Sequence, residues 1–208
     1  APAVNRAPFD EAMCEIVEDT KPEVVSFHFG LPAKPLLERV KAADSRVLSS
    51  ATTVEEARWL EDNGCDAIIA QGYEAGGHRG MFLTDDIAMQ AGTFALVPQI
   101  VDAVKVPVIA AGGFVDGRGL AAAPAWGADG IAMGTRFLLT RESGVPDEVK
   151  ARYLAATVTD TVVTTAVDGV PQRVVRTAFV DRLERSGWLG RLLRAAGHAV
   201  ALRRMTKT

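Results

Sequence analysis

The stretch Ile69-Ala70-Gln71-Gly72-Tyr73-Glu74-Ala75-Gly76-Gly77-His78-Arg79-Gly80 sets an imidazole among glycines at the end of an apolar run. Imidazole gives and takes protons near neutral pH, and glycine lets a ligand approach the main chain closely. Two further stretches, Val108-Ile109-Ala110-Ala111-Gly112-Gly113 and Ile131-Ala132-Met133-Gly134-Thr135, run from apolar residues into small ones, and a helical pattern follows each. Bare amides at a strand-to-helix turn are how a parallel α/β protein usually grips a phosphate. Gly112-Gly113 and Gly134-Thr135 are therefore expected to bind an anion, with the Thr135 hydroxyl as an added donor. A second imidazole, His28, ends the alternating run Val24-Val25-Ser26-Phe27-His28-Phe29 and shares a face with Val24 and Ser26. That parity points His28 inward, near the same mouth.

These groups need a scaffold, and the sequence alternates strand and helix to supply one. Strands are expected over 24–29, 47–50, 67–71, 106–111 and 130–133, and helices over 10–18, 36–41, 94–104, 119–126 and 146–156. Thr52-Thr53-Val54-Glu55-Glu56 reads as a hydroxyl-capped helix start, and Asn63-Gly64 as its left-handed stop. Residues 79–92 have no clean period and read as a long loop over the site. Strand and helix alternating without hairpins argue for a parallel sheet with helical crossovers. The expected fold class is α/β, a (β/α)8 TIM-type barrel incomplete here, with about five βα units and a helical C-terminal extension. Residues 1–157 form the barrel part. In 158–208, a threonine- and valine-rich stretch with a turn at Asp168-Gly169 precedes a largely helical, arginine-rich segment from Arg173.

Composition excludes more than it selects. The 208 residues are 48% hydrophobic, enough for one sizeable core. With 23 basic and 26 acidic residues, a net charge of -3 gives no case for a nucleic-acid or membrane partner. Cys14 and Cys65 are far apart and read as two reduced thiols of a cytoplasmic protein. The residues form no metal-ligand pattern. The opening Ala1-Pro2-Ala3 lacks an initiating methionine and Lys207-Thr208 brings no helix stop, so a longer natural chain is expected.

Together these motifs resemble the nitronate monooxygenase family, formerly called 2-nitropropane dioxygenases. Ala-Gln-Gly-x-Glu-Ala-Gly-Gly-His stands at Ala70 to His78, and Val-Ser-Phe-His-Phe-Gly at Val25 to Gly30. Pro-Val-Ile-Ala-Ala-Gly-Gly followed by Asp-Gly-Arg-Gly stands at Pro107 to Gly119, and Met-Gly-Thr-x-Phe at Met133 to Phe137. The resemblance runs over roughly residues 23 to 143. It implies a barrel holding FMN at its C-terminal mouth, which oxidises alkyl nitronates or nitroalkanes with dioxygen to a carbonyl compound and nitrite, without a metal. It also implies that the first strands, and an asparagine contact to the isoalloxazine, belong to an amino-terminal third this sequence lacks. Some members carry a lysine where Ser49-Ser50 stands.

The resemblance implies roles residue by residue. FMN contacts fall to Gln71, Gly76 and Gly77 in the first loop, to Ala111, Gly112 and Gly113, and to Met133, Gly134 and Thr135. Gln71 and Gly76 would line the ring and the ribityl chain. His78 matches the active-site histidine. It would take the α-proton of a nitroalkane, or hold the nitro oxygens of a nitronate. His28 matches a second active-site histidine. Glu74 is expected to orient its loop by accepting backbone N–H groups. The partners are a small-molecule substrate and dioxygen, and a homo-oligomer is left open. Three alternatives stand beside this reading. One is a FabK-like NADH-dependent enoyl-thioester reductase. A second is a steroid-ring or acyl-CoA oxidoreductase, and a third is a non-catalytic flavin-binding module. An open dinucleotide fold would need a glycine fingerprint after the first strand, and Gly30-Leu31-Pro32 is not one.

Overall fold

The computed structural model describes residues 8–185. Its centre is a five-stranded parallel sheet whose spatial order follows the chain. The strands are β1 (Val24–Phe27), β2 (Arg46–Ala51), β3 (Ala67–Gln71), then, after a two-residue strand β4 (Gly77–His78) outside this sheet, β5 (Val108–Ala111) and β6 (Gly130–Ala132). Helices α2 (Lys34–Ala42), α3 (Val54–Asp62), α4 (Thr93–Ala103) and α5 (Gly117–Ala125) make the crossovers, and α1 (Glu11–Thr20) packs against α2. Because all five strands run the same way, their C-terminal tips and the loops after them share one edge. Among the described residues β1 and β6 are the two free edges, so the sheet is an open arc of a barrel.

Local chemistry explains the element boundaries. Asp10 caps α1 by accepting the Met13 N–H, and Thr53 caps α3 by accepting the Glu56 N–H. Helix α3 stops at Asn63 and the left-handed Gly64 (φ +93). Register is pinned at the strand starts. Asp66, just before β3, accepts from Val47 N–H at 2.8 Å, and Asp129, just before β6, accepts from Val108 N–H at 2.8 Å. The core fills the space between sheet and helices with Val47, Leu60, Ile68, Ala70, Val97, Ile100 and Ala110, all fully buried. Burying each of the larger side chains contributes about 1.5–3 kcal/mol.

The expected strands and helices up to residue 155 are all present, with shifts at their ends. Strand β1 stops at Phe27 rather than 29, because Phe29 takes a left-handed conformation (φ 67) and turns the chain away. Short helices α6 (Thr135–Leu138) and α7 (Asp147–Ala155) follow β6. The segment beyond 157 differs more. Arg173 was expected to begin a helix. Instead β7 (Thr161–Thr164) and β8 (Gln172–Val175) form an antiparallel hairpin, and helix α8 (Ala178–Arg185, among the described residues) begins only at Ala178. Valine- and threonine-rich residues favour a pleated ribbon over a helix, and the turn at Asp168-Gly169 lets them pair. The hairpin does not stand apart, since β8 pairs with β4 and carries the sheet order β4-β8-β7 to the His78 loop. The basic helical segment expected beyond residue 185, with His198, lies outside the described residues. No helix among the described residues is long and apolar enough to cross a membrane.

Candidate functional site

Three strand tips meet at the shared edge. The loop after β3 folds over the tip of β5: Gly72 N–H donates to Ala111 C=O at 2.9 Å, and Ala75 N–H to Gly72 C=O at 3.1 Å. Gly112, at φ +114, packs so tightly there that a Cβ would lie 3.1 Å from Ala75 N and 3.2 Å from Gly72 O. A Cβ on Gly76 would lie 2.7 Å from Thr135 Oγ1, so the loop after β3 also touches the turn after β6. Gly134 by contrast faces open space. Among the described residues, the amides of Gly112, Gly113 and Gly134 donate to no protein acceptor. Bare donors at two neighbouring turns, one of them open, are what a phosphate needs.

Glu74 organises this corner. Its Oε2 accepts from the Thr93 N–H and hydroxyl, each at 2.7 Å, at the N-terminus of α4. The Thr93 hydroxyl also lies 3.0 Å from Gly112 C=O. Burial pushes the Glu74 carboxyl up, but these hydrogen bonds outweigh it and hold the group below the usual carboxylate range.

His78 sits in β4 with its side chain one-third exposed, and its Nε2 is 2.7 Å from Asp168 Oδ2 in the β7–β8 turn. Asp168 Oδ1 in turn accepts from Gln172 Nε2 at 2.9 Å and from Val170 N–H at 3.2 Å. The Phe29 ring stands edge-on to His78, with centroids 6.1 Å apart. The His28 ring also stands edge-on to Phe29, with centroids 4.5 Å apart, and its Nδ1 is 3.0 Å from Ser50 Oγ. It abuts Gly80, where a Cβ would come within 2.7 Å of its ring. Burial lowers the proton affinity of His28; a hydrogen bond to the His78 main chain offsets part of this, and the charges of His78 and Arg79 add to the lowering. The two histidines thus share one mouth but not one environment.

A family model for nitronate monooxygenase matches residues 3–205. The chain belongs to the nitronate monooxygenase family. A probable nitronate monooxygenase of Staphylococcus haemolyticus is 44% identical over 85% of this chain and 50% of its own. Two relatives are named (3aS,4S,5R,7aS)-5-hydroxy-7a-methyl-1-oxo-octahydro-1H-indene-4-carboxyl-CoA dehydrogenase. The one from Rhodococcus jostii is 48% identical over 84% of this chain and 47% of its own. The one from Mycobacterium tuberculosis is 49% identical over 85% and 46%. Among solved structures, nitroalkane oxidase from Streptomyces ansochromogenes superposes with a TM-score of 0.77 at 37% identity, covering 94% of this chain and 59% of that one. FabK from Thermotoga maritima gives 0.79 at 35%, covering 96% and 61%. The chain spans about half the length of the curated relatives it matches.

Within this member of the family, the structure brings most of the expected residues to one mouth. His78, His28, Gly76, Gly77, Ala111, Gly112, Gly113, Gly134 and Thr135 all lie in or beside the loops at that edge. Met133, just after β6, packs against the core. Gln71 is engaged inside its own loop: its Nε2 donates to His78 C=O at 3.0 Å and its Oε1 accepts from Gly80 N–H at 2.7 Å. One amide hydrogen of the Gln71 side chain is left over from these bonds. Sequence reading missed Asp168, Gln172, Thr93 and the fully buried Arg79. Asp168 had been legible only as a turn residue.

Proposed function

We propose that the full-length protein is an FMN-dependent oxidoreductase that oxidises an alkyl nitronate or nitroalkane with dioxygen to a carbonyl compound and nitrite. One observation supports this most: the loop bearing His78 closes onto both glycine turns, so imidazole and anion cradle belong to one site. The residues fit the cofactor. Free amides at Gly112, Gly113 and Gly134 with the Thr135 hydroxyl would take the phosphate, Gly76 lets its loop close onto Thr135, and Gly77 leaves room for the ribityl chain. Bound FMN supplies the two-electron redox chemistry. The chain's own groups bind and orient. Glu74, through Thr93, fixes the turn at Gly112. Phe29 walls the mouth, and His78 meets the substrate's reacting end. FMN, dioxygen and a small-molecule substrate are thus the proposed partners. Residues 1–157 would form the C-terminal part of the barrel, with the hairpin after 157 closing over the mouth.

A second reading is favoured by the relatives at 48% and 49% identity, named for a dehydrogenase acting on a bicyclic carboxyl-CoA. On that reading His78 faces the carbon next to a thioester. One experiment separates the readings. The full-length, FMN-loaded protein is mixed anaerobically with propionate 3-nitronate, nitroethane or a bicyclic acyl-CoA, and flavin bleaching is followed before air is admitted. Bleaching by the nitro compounds with later oxygen uptake is the expected result. Bleaching by the thioester alone replaces the first reading with the second. Rapid NADH oxidation with a crotonyl thioester assigns the chain to FabK-like reduction instead.

A further inference from the structure

The residue that has no role so far is Asp168. It is 90 positions from His78 in sequence, yet its carboxylate lies 2.7 Å from His78 Nε2, and its side chain is only 15% exposed. A carboxylate that already takes N–H donors from Gln172 and Val170 at Oδ1 is set up as an acceptor. Its partner on the other oxygen must then donate, so the proton of neutral His78 resides on Nε2. The Gln172 Nε2 contact to His78 Nε2, at 3.4 Å, brings two donors together, and the shared acceptor is Asp168. This leaves Nδ1 of His78 with its lone pair, and among the described residues Nδ1 has no hydrogen-bond partner.

The other groups around His78 do not reproduce this arrangement. His28, packed next to it, is bonded to the Ser50 hydroxyl and the His78 main chain and to no carboxylate. Arg79 directs its guanidinium away to Gln71 C=O and Gln90 Oε1. Arg173, in the strand paired with β4, donates to Tyr73 C=O and Thr161. Glu56 is occupied by four donors of its own. Of these charged and titratable neighbours, Asp168 alone fixes the orientation and tautomer of His78. A substrate that arrives as an anion asks for a donor at this position. A lone pair left on Nδ1 asks for a proton.

We propose that Asp168 is the positioning residue that makes His78 a proton acceptor, the group that takes the proton when the substrate reaches this site as a neutral carbon acid. This rests on the flavin-oxidoreductase reading and adds a residue to its site. The C–H bond next to the nitro or carbonyl group breaks, its proton joins His78 Nδ1, and the electron pair stays on the substrate, delocalised onto oxygen. Asp168 stays ionised throughout and balances the imidazolium. The Gly169 turn and the pairing of β8 with β4 hold the two side chains in register.

The test uses the full-length FMN-loaded enzyme with nitroethane and, in parallel, ethyl nitronate. These give the same product and differ only in the proton. Asp168→Asn should lose on the order of 10²-fold or more in kcat/KM for nitroethane, the usual contribution of a positioned base. Its loss on ethyl nitronate should be at least about tenfold smaller, and Asp168→Glu should recover part of the nitroethane rate. Equal losses on both substrates, or no loss on either, overturn the proposal. A second measurement needs no turnover. Long-range 1H–15N spectra of 15N-histidine protein should show His78 as the Nε2–H tautomer in wild type and as a mixture in Asp168→Asn. A wild-type His78 protonated on Nδ1 overturns the proposal by itself. Wild type that consumes oxygen with neither substrate refutes the nitroalkane reading, and the tautomer still decides the role of Asp168.

Discussion

Replacing Gly112 by alanine tests the cradle most directly. The position adopts φ +114, a backbone region that L side chains rarely enter. A Cβ there would lie 2.8 Å from Thr93 Oγ1, 3.1 Å from Ala75 N and 3.2 Å from Gly72 O. None of the three can step aside cheaply. Ala75 N–H and Gly72 C=O are bonded to each other, and the Thr93 hydroxyl is held by Glu74. The backbone strain alone costs about 1–3 kcal/mol, and overpacking against main chain adds about 1–3 kcal/mol. If the loop moves to relieve this, the phosphate loses the amide geometry that the strain was holding. A penalty of about 3 kcal/mol then weakens FMN about 150-fold, since about 1.4 kcal/mol is tenfold.

The assay is fluorescence quenching as FMN is titrated into the flavin-free full-length protein, with urea unfolding beside it. Gly117→Ala is the matched control. It removes a glycine in the next helix, where a Cβ would meet nothing within 4 Å. There the same substitution should stabilise by about 0.4–1 kcal/mol, by restricting the unfolded chain, and leave FMN affinity alone. If Gly112→Ala bound FMN as wild type does, with unchanged unfolding, the turn would not be the phosphate grip described above.

Two further outcomes follow from the carboxylates beneath the mouth. Glu56 is fully buried and accepts from Thr52 N–H and hydroxyl with one oxygen, and from Phe82 and Leu83 N–H with the other. Glu56→Gln turns one of those oxygens into a donor facing donors. It should cost about 2–4 kcal/mol in urea unfolding and speed proteolysis of the 81–92 loop; an unchanged cleavage rate would mean the loop is held elsewhere. Glu74, whose carboxyl is held below the usual range, stabilises the fold fully above the unfolded value of about 4.3. That contribution is lost as pH falls through the lower folded value, so Glu74→Gln should flatten the acid side of the stability–pH curve. A slope identical to wild type would contradict it.

How much of this could be read from the chain alone depends on how local each signal is. Strand β3, the Thr53 cap and the Gly64 stop rest on neighbouring residues, and were legible within a few positions. Glu74 was legible as the orienter of its loop, because an acid among glycines has backbone N–H groups to accept; its partner Thr93 was not. The His78–Asp168 pair was out of reach, since only the docking of β8 on β4 joins residues 90 apart. The hairpin itself was misread at its second strand. Helix-favouring arginines follow Arg173, and they outweighed the two valines that pair with β7. Gln71 shows the limit of motif reading. The motif placed it at the mouth, but its amide closes the loop through His78 C=O and Gly80 N–H.

The loops over the mouth are tied together by one path of hydrogen bonds, and Arg79 is its least replaceable step. Glu56 holds Thr52, whose hydroxyl accepts from Gln90 at 2.7 Å, and Gln90 accepts from Arg79 Nε at 3.0 Å. Arg79 Nη2 then donates to Gln71 C=O at 2.9 Å, and the Gln71 side chain reaches His78 C=O. Arg79 is fully buried and its Nη1 has no partner among the described residues. Burial, with Arg173 nearby, pushes its proton affinity down to about 10. Such a cation is unfavourable unless its planar fork does something an ammonium cannot. Here the fork reaches a side-chain oxygen and a main-chain oxygen at once, on Gln90 in the 79–92 loop and on Gln71 at the tip of β3. Lysine keeps the charge but has no rigid fork, so it can satisfy only one of the two. Arg79→Lys should therefore destabilise by about 1.5–3 kcal/mol, the worth of one hydrogen bond to a charged group. It should also raise amide hydrogen exchange through residues 79–92. If lysine matched arginine in both measurements, charge alone would suffice at this position and the path would carry no geometric constraint to His78.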